Sequence, residues 1–408
     1  MITGVYISQL TLPIYLENIN YSTSLIGIIS ASYYAGMILG ALKIESIICN
    51  IRYIRSFVVL ISTSIISISV TLIYDHLALW IIARFIGGAS LSGLYIVLES
   101  WFLYISSEKT KSFYLSIYML AVSLGGLTAP FLINNSNQDF RIQFIIAIVF
   151  LSLSIISIAV KNSPTPEISV KSALSVVKLF SISKVGVLGC ITSGLCIGSI
   201  QSFLPLMLYN INWTALQISI TLSILYLGGA ILQYPIGYLS DKFDRRYIIS
   251  ALCFIGMSAC IFAAIFHLDY SFFPYLFSIF IIGGVIFTLY TISVSFTCSK
   301  VKPQDIVRAL QGLFFTYGCG CMIGPLITSF SLQIFGYRGI FLINILYLSI
   351  LMIYVMMRIA RKTNEVDNLY SYNLLPITTP VISEFPSEVE NDAETKNKIH
   401  SNQNEVKD

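Results

Sequence analysis

The sequence predicts an all-α membrane protein of twelve transmembrane helices in two six-helix pseudo-repeats. Three observations predict it. Hydrophobic residues make up 56% of the 408 residues and charged ones only 11%, with a mean hydropathy of +0.81, beyond what water-soluble domains carry. Apolar runs suited to crossing a hydrocarbon core of roughly 30 Å recur along the chain. Motifs of the first half return in the second at a near-constant spacing.

The predicted spans are 2–16, 23–42, 54–74, 78–102, 112–134, 141–160, 183–209, 214–239, 248–267, 271–297, 306–335 and 338–358. The first, ITGVYISQLTLPIYL, is short and has no basic flank, so it is expected to be incomplete or to start upstream. It lacks the small-residue cleavage pattern of a signal peptide and reads as a span. Cationic residues set the expected orientation. With the N-terminus cytoplasmic, 21 of the 24 Lys and Arg residues fall on the inner side, Arg141 and Arg338 fall outside, and Arg84 lies within the fourth span. Both termini are therefore expected to be cytoplasmic, with the chain multi-pass in the cell inner membrane.

The expected domains are an N-terminal six-helix half (1–160), a cytoplasmic central loop (161–182), a C-terminal half (183–360) and a disordered tail (361–408). Residues 363–408 hold nine acids, three lysines and three prolines, too polar to bury a core. The eight cysteines lie mostly within spans, and three histidines are scattered along the chain, so no metal, disulfide or cofactor is expected. No nucleotide-binding Gly-Lys-Ser/Thr loop is present. A membrane enzyme would call for clustered His, Asp or Glu at the membrane edge, and no such cluster stands out. Nucleic acid is not an expected partner; the lipid bilayer, a small-molecule substrate and protons are, for a monomer.

The repeat shows when the halves are compared. FIGGASLSGLYIVLESWF (85–102) matches FIIGGVIFTLYTISVSFT (280–297), placing Tyr95 and Tyr290 at an offset of 195. Gly125 and Pro130 precede Gly320 and Pro325 by the same 195, and Tyr34 and Gly36 precede Tyr226 and Gly228 by 192. Apolar composition alone does not hold such a shift over several spans.

Between the eighth and ninth spans runs GYLSDKFDRR (237–246), with five charges in six residues. It resembles the major facilitator loop signature G-x-L-x-D-(R/K)-x-G-R-(R/K), matched at Gly237, Leu239, Asp241, Lys242, Arg245 and Arg246, with Asp244 in place of the usual Gly. ARFIGG resembles the fourth-span pattern of the same superfamily, and GCGCMIGP its G-x-x-x-G-P signature. LYIVLESWF and TYGCGCMIGPLI are most similar to the bacterial YcaD-type branch. The resemblance covers about 1–360 and implies the major facilitator fold, with a cavity between rocking halves.

Gly237 is expected to supply a tight turn, and Lys242, Arg245 and Arg246 the charge that keeps this loop inside. The resemblance implies that Asp241 faces a helix N-terminus, pairs with the loop arginines and gates one conformation. The first-half counterpart, GALKIESIICNIRYIRSF, retains Gly40 and Leu42 but has Ile44 at the Asp position, with Glu45 next and Arg52 and Arg55 beyond.

Ionisable groups within spans are functional candidates. Arg84 matches the family's fourth-span Arg, linked with proton transfer or an anionic group; snorkelling to the outer headgroups is the alternative. Glu99 reads as a brace for Arg52 or Arg55, ahead of a proton carrier with a raised pKa. Gln9, Tyr33, Tyr34, Tyr95, Gln201, Gln233 and Tyr290 are candidate cavity residues, suiting an amphipathic or hydrophobic molecule better than a sugar. Gly320, Gly324 and Pro325, echoed by Gly125, Gly126 and Pro130, are expected to give close packing and helix kinks.

The expected function is proton-coupled secondary transport of a small organic molecule by alternating access, an antiporter with efflux ahead of uptake. An uncoupled facilitator or importer is the alternative, and a non-transporting scaffold or sensor the alternative of another class.

Overall fold

The computed structural model describes residues 1–51, 53–105, 111–133, 140–159, 176–266, 272–301 and 305–360. Among them every regular element is helical. The order is α1 (Ile2–Asn18), α2 (Thr23–Ile51), α3 (Tyr53–Ile73), α4 (Leu77–Ile105), α5 (Lys111–Thr128), a 3₁₀ turn (Ala129–Leu132) and α6 (Phe140–Ala159). A short α7 (Val176–Ile182) leads into α8 (Lys184–Asn210), α9 (Ala215–Lys242), α10 (Arg245–Phe266), α11 (Phe272–Cys298), α12 (Ile306–Phe335) and α13 (Arg338–Ala360). Twelve of these described helices have 17 residues or more, and nine are long and apolar enough, by length and composition, to cross a membrane. Ile66, Ile73, Phe254, Phe273 and Ile334 lie exposed, a surface that suits hydrocarbon rather than water.

Within the first bundle α2 and α3 pack on α4, and α1 and α3 on α6; within the second, α12 packs on α8, α11 on α9, and α10 on α13 and α11. The bundles meet through α2 with α12, α1 with α8, and α5 with α9.

The local chemistry of the repeat is visible in matched details. Two residues past the ends of α1 and α8 lie asparagines with positive φ, Asn20 (64°) and Asn212 (58°), 192 residues apart. In each turn the next aromatic N–H reaches back five residues, Tyr21 to the Leu16 carbonyl and Trp213 to that of Leu208. This cap satisfies carbonyls left over at the helix end, and Asn tolerates the left-handed conformation it needs. The capped aromatics then stack on buried partners: Tyr21 on Trp80 at 5.2 Å and Trp213 on Tyr275 at 5.2 Å. Trp80 and Tyr275 are 195 apart and fully buried.

Glycine sets the spacing between the paired helices. A Cβ on Gly88 would overlap the Tyr33 carbonyl, and one on Gly36 the Phe85 carbonyl, so α2 and α4 touch backbone to backbone. The second half repeats the contact, Gly283 against the Leu225 carbonyl and Gly228 against that of Phe280. Small residues at lipid-buried crossings give the close packing that must replace a hydrophobic driving force between helices.

Several expectations need correction. Gly237 is not in a turn: α9 stays helical to Lys242, and Phe243 and Asp244 make the connection to α10. α2 likewise stays helical to Ile51, through the segment expected as the first-half loop. The expected central loop ends in the helix α7. Pro130 does not kink a continuous α5; that helix stops at Thr128 and Pro130 lies in the 3₁₀ turn, where its missing N–H costs less. Pro325 is inside α12, and Gly320 and Gly324 abut the Ile191 and Leu195 carbonyls of α8.

Replacing Gly283 by leucine should force α9 and α11 apart, costing about 1–3 kcal/mol or more. The expected outcome is a lower melting temperature in detergent and loss of the monodisperse peak, with Ile66→Ala, on the exposed surface, as the unaffected control.

Candidate functional site

Four helices converge on one cavity. α1 contributes Gln9 and Pro13, α2 contributes Ser30, Tyr33 and Tyr34, α4 contributes Arg84, and α8 contributes Gln201 and Ser202. All lie at one depth. Gln9 and Gln201 are each nine residues from the ends of their helices at Asn18 and Asn210, ~13 Å at 1.5 Å per residue, and Arg84 is seven residues into α4, ~10 Å. A hydrocarbon core of roughly 30 Å puts that layer near mid-membrane.

The cavity is small, about 20 Å³, about the space of one water-sized group. Side chains from both halves meet at it and beside it. Tyr34 Oη donates to Gln201 Oε1 at 3.0 Å, and the rings of Tyr6 and Tyr226 meet edge to face at 5.1 Å. Gln9 and Gln201 are 192 residues apart, so the two halves put repeat-related amides in the wall of the cavity.

Arg84 breaks that symmetry. Its guanidinium carbon sits 4.3 Å from the Tyr33 ring centroid, and its Nε is buried with no hydrogen-bond partner among the described residues. Nor does any carboxylate among those residues pair with it. A cation at the bilayer centre costs about 3 kcal/mol or more, and a ring face offers about 0.5–2 kcal/mol; Tyr33 offsets only part of the cost. The geometry follows from the packing, because Arg84 lies one turn before Gly88 and shares its face of α4. The equivalent residues of the second half are Leu225 and Ile279, both buried in the core.

Toward the end of the bundle that carries Glu17, the halves are latched. Glu17 Oε1 accepts from Asn210 Nδ2 at 3.3 Å, Gln333 Nε2 donates to Ser24 Oγ at 2.6 Å, and the hydroxyls of Ser219 and Ser223 donate to the Pro130 and Leu127 carbonyls at 2.6 and 2.8 Å. Burial pushes the nearby Tyr337 hydroxyl above its ordinary pKa; a hydrogen bond with Asn210 pulls the other way, and the Glu17 carboxylate adds to the rise. Between the latches, Phe203, Leu206, Met207, Leu332 and Tyr337 line an apolar recess of about 260 Å³.

At the opposite end, the charged connection is built from local contacts. Asp244 precedes α10 and caps it, its Oδ1 accepting from the Arg246 N–H at 2.9 Å while its carboxylate pairs with the Arg246 guanidinium at 3.0 Å. Arg245 Nη1 donates to the Ser295 carbonyl at 3.3 Å, in the last turn of α11, where the helix dipole favours a cation. Lys242 Nζ lies 4.4 Å from the Tyr238 ring centroid.

Comparison with known proteins places this architecture. Residues 1–207 and 186–379 match the Major Facilitator Superfamily. The chain belongs to that superfamily. Among curated relatives, this major facilitator is 24% identical to the "Uncharacterized MFS-type transporter YcaD" of Escherichia fergusonii over 359 residues, 86% of this chain and 91% of the relative. A YcaD of Escherichia coli is 26% identical over 351 residues, 85% and 88% of the two chains. Solved structures share the fold. The nucleoside transporter NupG superposes with a TM-score of 0.71 at 14% identity, covering 88% of this chain and 96% of its own. A bacterial homologue of the human lysosomal transporter Spinster, inward-facing and unoccupied, gives 0.74 at 13%, covering 87% and 94%.

Of the candidates named from sequence, this major facilitator brings Gln9, Tyr33, Tyr34, Arg84 and Gln201 to one cavity. Among the described residues it does not place Gln233, Tyr290 or Tyr95 in the lining. Gln233 donates to Thr291 Oγ1 at 3.0 Å between α9 and α11. The Tyr290 and Tyr317 rings lie tilted at 4.6 Å, and Tyr95, eleven residues beyond Arg84 on α4, is not in the lining but lies within electrostatic reach of Tyr6, Tyr33 and Tyr226. Gly125 packs on Ile2 of α1, and Gly126 on the Tyr226 ring. The side chains of Glu45, Glu99 and Asp241, the residue Arg52 and the tail lie outside the described residues. Ser30, Ser202 and the Tyr6–Tyr226 contact were not singled out from sequence, although the Gln9–Gln201 offset would have pointed to both ends of the cavity.

Each latch hydrogen bond is worth about 1 kcal/mol, so Asn210→Ala with Gln333→Ala should shift the balance between closed and open forms by roughly tenfold or more. A cysteine placed in the cavity by Ser202→Cys should then react several-fold faster with a maleimide added from the Glu17 end; an unchanged rate would show that the latches do not hold that end shut.

Proposed function

We propose that this major facilitator is a secondary transporter that moves a small organic molecule by alternating access, coupled to protons, with efflux ahead of uptake. The observation that carries the reading is the mid-depth cavity on the seam between the halves, flanked by the Tyr34–Gln201 and Tyr6–Tyr226 contacts and latched toward the Glu17 end. Such a seam is where rocking halves expose a site alternately to either side. Several of the cross-half contacts are single hydrogen bonds and ring edges, each small enough to break in a two-state equilibrium with a gap of a few kcal/mol.

In this reading the Glu17 end faces outward and both termini face the cytoplasm of a cell whose inner membrane holds the chain as a monomer. The charged connection from Asp241 to Arg246 gates the inner side, with Arg245 fastening it to the end of α11. Arg84 points to the cavity and to Tyr33, which favours a role at the site over snorkelling to headgroups. Glu99 braces the inner end of the first half.

The test is proton movement in vesicles containing the purified protein, challenged with amphipathic cations, amino acids, organic acids and sugars. A solute-dependent proton signal is expected, lost in Arg84→Ala and retained in Glu99→Gln. Loss in Glu99→Gln would make that carboxyl the proton carrier, and solute flux without proton movement would make the protein a facilitator. Truncation after Lys362 is expected to leave flux unchanged; full loss would favour a role for the tail.

A further inference from the structure

We infer that the cavity, too small for a ligand as it stands and widened when the Tyr34–Gln201 contact across the seam parts, takes a small organic monoanion, a carboxylate with an apolar or aromatic body, and that Arg84 is the residue that binds it. The inference rests on the transport reading and names its substrate class. Arg84 brings a permanent positive charge to mid-membrane, offers the cavity a planar fork of donors that matches a carboxylate, and has a buried Nε without a hydrogen-bond partner among the described residues. It lies over the face of Tyr33, which holds the guanidinium in place and leaves its N–H edge for an oxygen acceptor.

The charge count of the site sets the class. The other lining groups are neutral: the amides of Gln9 and Gln201, the hydroxyls of Ser30 and Ser202, and the tyrosines. A cationic solute would meet Arg84 without a compensating carboxylate among the described residues, a repulsion that low dielectric strengthens. A phosphate dianion calls for more positive charge than one guanidinium. A sugar calls for more convergent polar groups than two amides and two serines. One carboxylate on one guanidinium balances, and the amides can meet a single further polar group on the body.

The repeat supports the same choice. Gln9 and Gln201 are a related pair in the cavity wall that would serve a ligand lying across the seam. Arg84 has Ile279 as its counterpart, wholly buried, so the cation stands on one side only. The ligand is accordingly charged at one end, with its carboxylate toward α4 and its body toward α8.

The test compares 4-hydroxybenzoate and benzoate with their neutral amides and with tetraphenylphosphonium. Each is assayed for binding to the purified full-length protein in detergent and for counterflow in vesicles. The expected result is an acid-over-amide preference of tenfold or more in the unaltered protein, lost in Arg84→Gln and partly kept in Arg84→Lys. The acid and amide comparison uses the unaltered chain, so it stands even if Arg84→Gln fails to fold. Binding with no acid-over-amide preference, or counterflow of the cation or the amides that Arg84→Gln leaves unchanged, overturns the anion assignment and leaves transport standing. Counterflow of none of the probes, with acid-selective binding intact, overturns the transport reading instead and keeps the anion site.

Discussion

The contact of Gly88 with the Tyr33 carbonyl is the constraint from which the site follows. It brings α2 and α4 to backbone distance, closer than any side chain larger than hydrogen allows. One turn back on the same face, Arg84 is thereby set over the Tyr33 ring. Without that approach a guanidinium at this depth would lack even its aromatic partner, and the cost of a charge in hydrocarbon would fall wholly on the fold. The same spacing at Gly283 and Leu225 builds the second half. There an aliphatic residue, Ile279, takes the place of the cation.

A duplicated scaffold therefore carries a site with one repeat-related pair, Gln9 and Gln201, in its walls and a cation from one half. Caps at Asn20 and Asn212, stacked pairs Tyr21–Trp80 and Trp213–Tyr275, and glycine contacts in α2–α4 and α9–α11 all recur at offsets of 192 or 195. Each solves a problem that hydrocarbon imposes alike on both halves: leftover carbonyls at a helix end, a tight turn, helices that must touch closely. Function needs no such repetition. One cation suffices to orient a ligand, and a second would have doubled the desolvation cost.

The seam between the halves adds side-chain contacts to its helix packing. Inside a bundle, backbone meets backbone over long helices. Across the seam, described contacts include single hydrogen bonds such as Glu17–Asn210 and Ser24–Gln333 and the ring edge of Tyr6 on Tyr226. Helix packing crosses the seam as well, α2 on α12, where a Cβ on Gly27 would press on the Pro325 carbonyl, so these polar contacts add to an interface of packed helices.

The sequence by itself determined the helices and the repeat, because the demand for apolar residues at helical length, and for small residues at crossings, is written locally. Span limits read from apolar runs fall within a few residues of most helix ends, but the charged segments after Leu42 and Gly237 stayed helical where loops were expected. Charge marks a membrane boundary, and a helix can run past one. Arg84, Tyr34, Gln9 and Gln201 could be named as polar residues inside spans, yet so could Tyr95, Gln233 and Tyr290. Only tertiary structure separated them, since which face of a helix turns to the seam depends on how four helices from two halves pack. It also decided that Arg84 faces an aromatic ring and a cavity. That outcome needs α2 and α4 at glycine distance, a relation between residues more than fifty apart in the chain.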